Sequence, residues 1–170
     1  MTRAEVTSIS GGQVRRVRWA QQIGMFERMA AAAGVLYVVD EGTTAFDLDT
    51  GRVLWRVEIN GESSSGGVEI GVTPTRVQVD APDEYYVEFD RATGRLMSSG
   101  QHRPRDFIAV DSPEPDDCSF DDDDAVVGVA NGRAVWRLEL DSDPMHEQQL
   151  LAVGNLIVVA MADQRLIVLE

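Results

Sequence analysis

The sequence predicts an all-β chain built from about four repeated four-stranded units, and three observations carry that prediction. An eleven-residue string, Ala45 to Trp55, recurs in weaker copies along the chain. The copies fall at regular intervals: Trp19, Trp55, Ser98 and Trp136 stand 36, 43 and 38 residues apart, with 34 more to Glu170. Between them lie short β-branched runs bounded by turn residues, the pattern of buried strands rather than helices.

The elements follow in order. Arg16 to Ile23 matches the strand Val53 to Ile59 around its tryptophan. Met25–Ala33 is alanine-rich and leaves a short helix open as an alternative to a strand. Gly34 to Val39 reads as an inner strand, with Gly154 to Ala160 as its counterpart in the last repeat. Thr75 to Asp80 alternates polar and apolar residues, which predicts one wet face. Val87 to Leu96 keeps the Asp-x-x-Thr-Gly core but has Ser98 where the tryptophan belongs. Gly128 to Trp136 keeps Gly132 and the tryptophan, with Gly128 at the aspartate position and Asn131 at the threonine position.

The string Ala-x-Asp-x-x-Thr-Gly-x-x-x-Trp resembles the signature of the quinoprotein-type (PQQ-like) β-propeller repeat. The resemblance implies a β-propeller of four-stranded blades, about four per chain. The blade repeats run at about 19–55, 55–98, 98–136 and 136–170, with the N-terminal strand closing the last blade. The signature residues, Asp47, Thr50, Gly51 and Trp55, then Asp90, Thr93 and Gly94, then Gly132 and Trp136, with Trp19, are expected to be structural. The aspartate accepts backbone N–H groups, the glycine takes a positive φ, and the tryptophan wedges between blades. Four repeats suffice for a four-bladed ring, but this repeat type usually builds larger ones. The preferred expectation is therefore a homodimer pooling four and four blades into an eight-bladed ring, each N-terminal strand completing the partner's last blade.

Composition narrows the function. The chain of 170 residues carries 29 acidic and 15 basic residues, every basic one an arginine, for a net charge of −14. Such a field opposes contact with nucleic acid or anionic lipid and favours a basic protein partner or divalent cations, while ordinary solubility accounts for it equally well. The N-terminal arginines Arg3, Arg15, Arg16 and Arg18 read as strand-surface charges paired with acidic neighbours. One cysteine, Cys118, excludes an internal disulfide. No leader or membrane-length apolar run is visible, so the expected location is the cytoplasm, unless a signal peptide has been removed.

The chemistry-bearing residues are few. Quinoprotein dehydrogenases hold a quinone and Ca²⁺, but no ligand constellation of theirs is placed here, so no cofactor, metal or catalytic residue is expected. The acidic segment Asp111–Asp124 has oxygen ligands without the spacing or turn glycine of an EF-hand. Its end, Phe120 with Asp121, Asp122, Asp123 and Asp124, is the candidate docking surface for a partner. Cys118 is a poor nucleophile among carboxylates. His102 and His146 are isolated, and Gly61 to Gly67 is a flexible connection without the lysine of a phosphate loop. Tyr85 and Tyr86 are candidate hot spots that also read as strand. The expected function is a non-enzymatic protein-binding or scaffold module. The alternatives are an immunity or inhibitor protein neutralising a basic enzyme such as a nuclease, or a propeller binding a small ligand or metal.

Overall fold

The computed structural model describes residues 6–8, 15–58, 67–81, 85–100, 107–122, 125–138, 149–161 and 164–170. Among these there is no helix, and sixteen strands form four antiparallel sheets of four. The chain divides into two compact units, Gly24–Ser112 and the pair of segments Met1–Ile23 and Pro113–Glu170.

Two strands, β1 (Val6–Ser8) and β2 (Val17–Gln22), precede the Gly24–Ser112 unit. That unit holds two sheets of consecutive strands. The first contains β3 (Arg28–Ala32), β4 (Val35–Val39), β5 (Gly42–Asp47) and β6 (Val53–Glu58). The second contains β7 (Glu69–Val72), β8 (Arg76–Ala81), β9 (Tyr85–Asp90) and β10 (Leu96–Gly100). The helix alternative over Met25–Ala33 is not what forms. Met29 and Ala30 are buried in β3 against β4, and tertiary burial overrides the alanines' helix preference.

In the other unit, β11 (Cys118–Phe120), β12 (Val126–Ala130) and β13 (Arg133–Leu138) form a sheet whose fourth strand is β1, added beside β13. The remaining sheet contains β14 (Gln149–Val153), β15 (Leu156–Ala160), β16 (Arg165–Leu169) and β2. Here β2 lies antiparallel to β16 of its own chain. The main chains of Arg16 and Glu170 exchange two hydrogen bonds of 2.9 Å, and Arg18 pairs with the Glu170 carboxylate at 3.0 Å. The N-terminal strand thus completes the last sheet within its own chain, as expected of it, and the pooled ring of two copies has no support from this pairing. In that position β2 satisfies the otherwise open edge of β16.

All four sheets share one irregularity. The register shifts between β5 and β6, β9 and β10, β12 and β13, and β16 and β2, passing over Leu54, Met97, Val135 and Arg18. Each skipped residue immediately precedes Trp55, Ser98, Trp136 or Trp19. An extra residue in one strand bends it and re-aims the following side chain. In the sheets of β6 and β13 it sets a tryptophan into the core.

The third repeat departs from the sequence alignment. Trp136 lies opposite Gly128, whereas Trp55 lies opposite Ala45, so Gly128 corresponds to Ala45 and not to the signature aspartate. The five-residue signature turn is replaced by the two-residue turn Asn131-Gly132, with φ of 53° and 71°. Two left-handed residues match the twist of a tight hairpin, so no aspartate is needed.

Candidate functional site

The signature turns have the same geometry twice. Asp47 Oδ1 accepts the Thr50 backbone N–H at 2.9 Å and its hydroxyl at 2.8 Å, while Gly51 N–H reaches Asp47 O at 2.8 Å. In the next sheet, Asp90 Oδ1 accepts from the same groups of Thr93 at 3.0 and 2.7 Å, and Gly94 N–H reaches Asp90 O at 2.8 Å. The Thr50 hydroxyl, then its N–H, holds the Asp47 carboxyl below the usual carboxylate value, and Thr93 does the same to Asp90. A depressed folded pKa contributes stability above the ordinary value of 3.8 and loses it as pH falls through the folded value. Thr93→Val should therefore move the Asp90 titration upward toward 3.8, measured by carboxyl NMR. An unchanged titration would show that the hydroxyl does not stabilise the ionised form.

The tryptophan joins these turns to one another. Trp55 is buried against the sheet of β7 to β10, and its Nε1–H donates to Arg91 O at 2.9 Å, inside the next turn. Its indole covers Gly94, where an added Cβ would lie 2.7 Å from Cδ2. Tyr37 and Phe89 flank it, with ring centroids at 6.1 and 6.0 Å. In the other unit Trp136 lies over Gly128 and packs with Leu150, Ile157, Ile167 and Leu169. Trp19 is buried on β2 opposite Val168.

The docking candidates of the acidic segment have structural partners. Asp121 Oδ1 accepts the Ala125 N–H at 3.0 Å, and its other oxygen pairs with Arg137. Phe120 is half-buried and packs against the core of its unit. Asp122 is exposed, whereas Asp123 and Asp124 lie outside the described residues, as do His102 and His146. Asp117 pairs with Arg15 at 2.8 Å. Among the described residues no three metal-capable side chains cluster.

Cys118 is buried, and burial with the neighbouring Asp117 charge pushes its thiol up to about 12. At pH 8 the thiolate is then about one part in ten thousand. The folded protein should resist a thiol reagent that labels it rapidly in denaturant. Rapid labelling of the native protein would contradict this burial. Because the folded value lies above the ordinary 9.0, the contribution of the thiol to stability is lost as pH rises from there toward 12.

The wet face expected on β8 is wet only in part: Arg76 is exposed and Asp80 half-buried, but Gln78 between them is buried. Gln78, Tyr86 and Glu88 are all buried. Glu88 accepts from Tyr86 Oη at 2.7 Å, Gln78 Nε2 at 3.0 Å and Arg76 at 2.9 Å. Burial alone would raise the Glu88 carboxyl, but these hydrogen bonds outweigh it and hold it below its ordinary value. Glu88, Tyr86 and the Gln78 amide N–H enter this face by bonding to one another, while Gln78 Oε1 is left without a hydrogen-bond partner. Tyr86 is therefore no exposed hot spot, and the Tyr85 side chain lies outside the described residues.

Sequence reasoning missed an open groove of about 580 Å³ in the Gly24–Ser112 unit, lined by Arg52 and Leu54 after one signature turn and by Pro74, Asp90 and Arg91 beside the next. Arg91 is held there by three neutral acceptors. Its Nε donates to Tyr37 Oη at 2.9 Å, and its terminal nitrogens reach Ala32 O at 3.3 Å and Thr73 O at 3.5 Å. The sequence signal was present, since each signature turn is followed by Gly-Arg and two apolar residues. Which arginine would line a groove depended on packing between sheets.

These repeated turns and bulged outer strands define blades of the PQQ-like propeller class. The chain belongs to the family described as the outer membrane protein assembly factor BamB, which matches residues 3–112. Its fold is similar to three solved structures. BamB from Moraxella catarrhalis is 19% identical with a TM-score of 0.35, over 84% of this chain and 42% of that one. The computationally designed Ika4 protein is 15% identical with a TM-score of 0.36, over 85% and 90%. A europium-containing methanol dehydrogenase is 14% identical with a TM-score of 0.35, over 84% and 40%. This chain thus spans less than half of the BamB structure it resembles. No curated protein matches it.

Proposed function

We propose that the chain is a non-enzymatic protein-binding module, with the outer strands of the Gly24–Ser112 unit as its docking surface. The observation that carries this reading is the apolar exposure of those strands. Val53 and Leu54 on β6 are 47% and 38% exposed, and Leu96 and Met97 on β10 are 55% and 44% exposed. Exposed apolar side chains grouped after a rigid turn are a feature of interaction surfaces. Membership in a family described as an assembly factor supports the same reading. The test is photo-crosslinking in the native host from a benzophenone side chain at Leu54 or Met97, with Glu58, an exposed residue on β6, as control. The reading expects one polypeptide adduct from positions 54 and 97 and none from 58. Equal adducts from all three, or none, would contradict it.

A basic partner, with the immunity or inhibitor role as one case, is the second reading. Its support is the exposed Glu114, Asp116 and Asp122 around β11. Electrostatic steering would make association steeply slower as salt rises, whereas capture through the apolar strands would change little.

A further inference from the structure

We infer that the groove beside the second signature turn is the docking site for an extended segment of a partner protein that presents a single acidic residue among apolar ones. The inference rests on the protein-binding reading and names the chemistry of the segment.

Charge is the first argument. The whole chain is strongly acidic, yet this groove has two arginines and one aspartate in its wall. The aspartate, Asp90, directs Oδ1 to Thr93 within its own turn. Half-buried Arg91 is held by a phenol and two carbonyl oxygens, all neutral, and makes no ion pair with a carboxylate among the described residues. A cation withdrawn from water without a counter-ion is costly, and an incoming carboxylate offsets that cost. The Arg52 guanidinium is exposed and lies near enough to Asp47 to help lower its pKa, and from there it can close on the same ligand. With Arg52 facing Asp47 and Asp90 engaged by Thr93, the charge of Arg91 leaves room for one negative charge.

Shape is the second argument. The groove is open to solvent rather than enclosed, and Val35, Leu54, Pro74 and Ala92 line it beside the arginines. Leu54 reaches it because it is the bulged residue of β6, with no cross-strand partner of its own. A small carboxylate needs a pocket that surrounds it, whereas an open trough with apolar walls suits a chain that enters and leaves.

The test is selection of random twelve-residue peptides displayed on phage against the intact chain, followed by anisotropy titration of the enriched peptides. They should share one Asp or Glu flanked by apolar residues. Replacing that residue by its amide, or Arg52→Gln in the protein, should weaken binding by roughly tenfold or more. Leu54→Ser should do the same, with thermal unfolding checking that both variants keep the fold. Enriched peptides that bind these variants as well as the parent would overturn the groove while leaving a protein-binding module. Failure to enrich any peptide would count against both. Equally tight binding of free butyrate, lost in Arg52→Gln, would reassign the groove to a small carboxylate and overturn the proposal of a protein segment.

Discussion

Trp55→Ala should destabilise the Gly24–Ser112 unit by about 3–5 kcal/mol, the range for removing a large aromatic side chain from a core. Three losses combine. The indole is only 7% exposed, its Nε1–H satisfies the Arg91 carbonyl inside the next turn, and its rings contact Tyr37 and Phe89. Nothing nearby fills the space, because the facing residue of the next turn is Gly94. Urea unfolding of the variant should show the midpoint displaced accordingly. A shift worth less than about 1 kcal/mol, the level of an ordinary surface change, would show that the tryptophan does not join the two sheets.

Gly128→Ala should be comparably severe through the opposite fault. A methyl at this position would lie 2.0 Å from Cε2 and Nε1 of Trp136, inside any permitted contact. The indole is 3% exposed, and its neighbours Leu138 and Ile157 are fully or almost fully buried, so it has little freedom to withdraw. Overpacking of a closed core costs about 1–3 kcal/mol and occasionally more, and the upper end applies where neither partner can move. The companion change Trp136→Phe in the Gly128→Ala background should recover part of the loss, because the smaller ring leaves space for the methyl. Thermal unfolding of the single and double variants measures the coupling. Additive effects would mean that the methyl meets something other than the indole.

These two sites show what was legible in the sequence and what was not. The Asp-x-x-Thr-Gly string announces its own turn because every partner lies within five residues, from Asp47 to Gly51. The aromatic position was equally legible, since the spacing of Trp19, Trp55 and Trp136 repeats with the sheets. Gly128 was misaligned because the tight Asn131-Gly132 turn shortens its hairpin, a change that shows only once Trp136 is paired across the strands. The polar letters of Gln78 and Glu88 suggested water, although their hydrogen bonds to each other and to Tyr86 allow full burial. Addition of β1 to β13 joins segments more than a hundred residues apart and has no local signal. The groove was hidden for a related reason. Arg52 and Arg91 belong to different repeats, and only packing of two sheets in one unit brings them to the same wall.

Stability and function meet at the same turns in this account. Gly94 accepts Trp55 on one side, and Arg95, Leu96 and Met97, which follow it, are exposed. Under the proposed protein-binding reading, the rigid blade would hold these residues as a fixed docking strip.

Native mass spectrometry of the chain, purified gently from its own host, decides between a protein-binding module and a ligand-binding or catalytic one. A protein-binding module should appear as a species in which the 18.7 kDa chain carries a second polypeptide. The 18.7 kDa chain bearing a stoichiometric small adduct, with no polypeptide attached, would contradict it and assign the protein to ligand binding or catalysis instead.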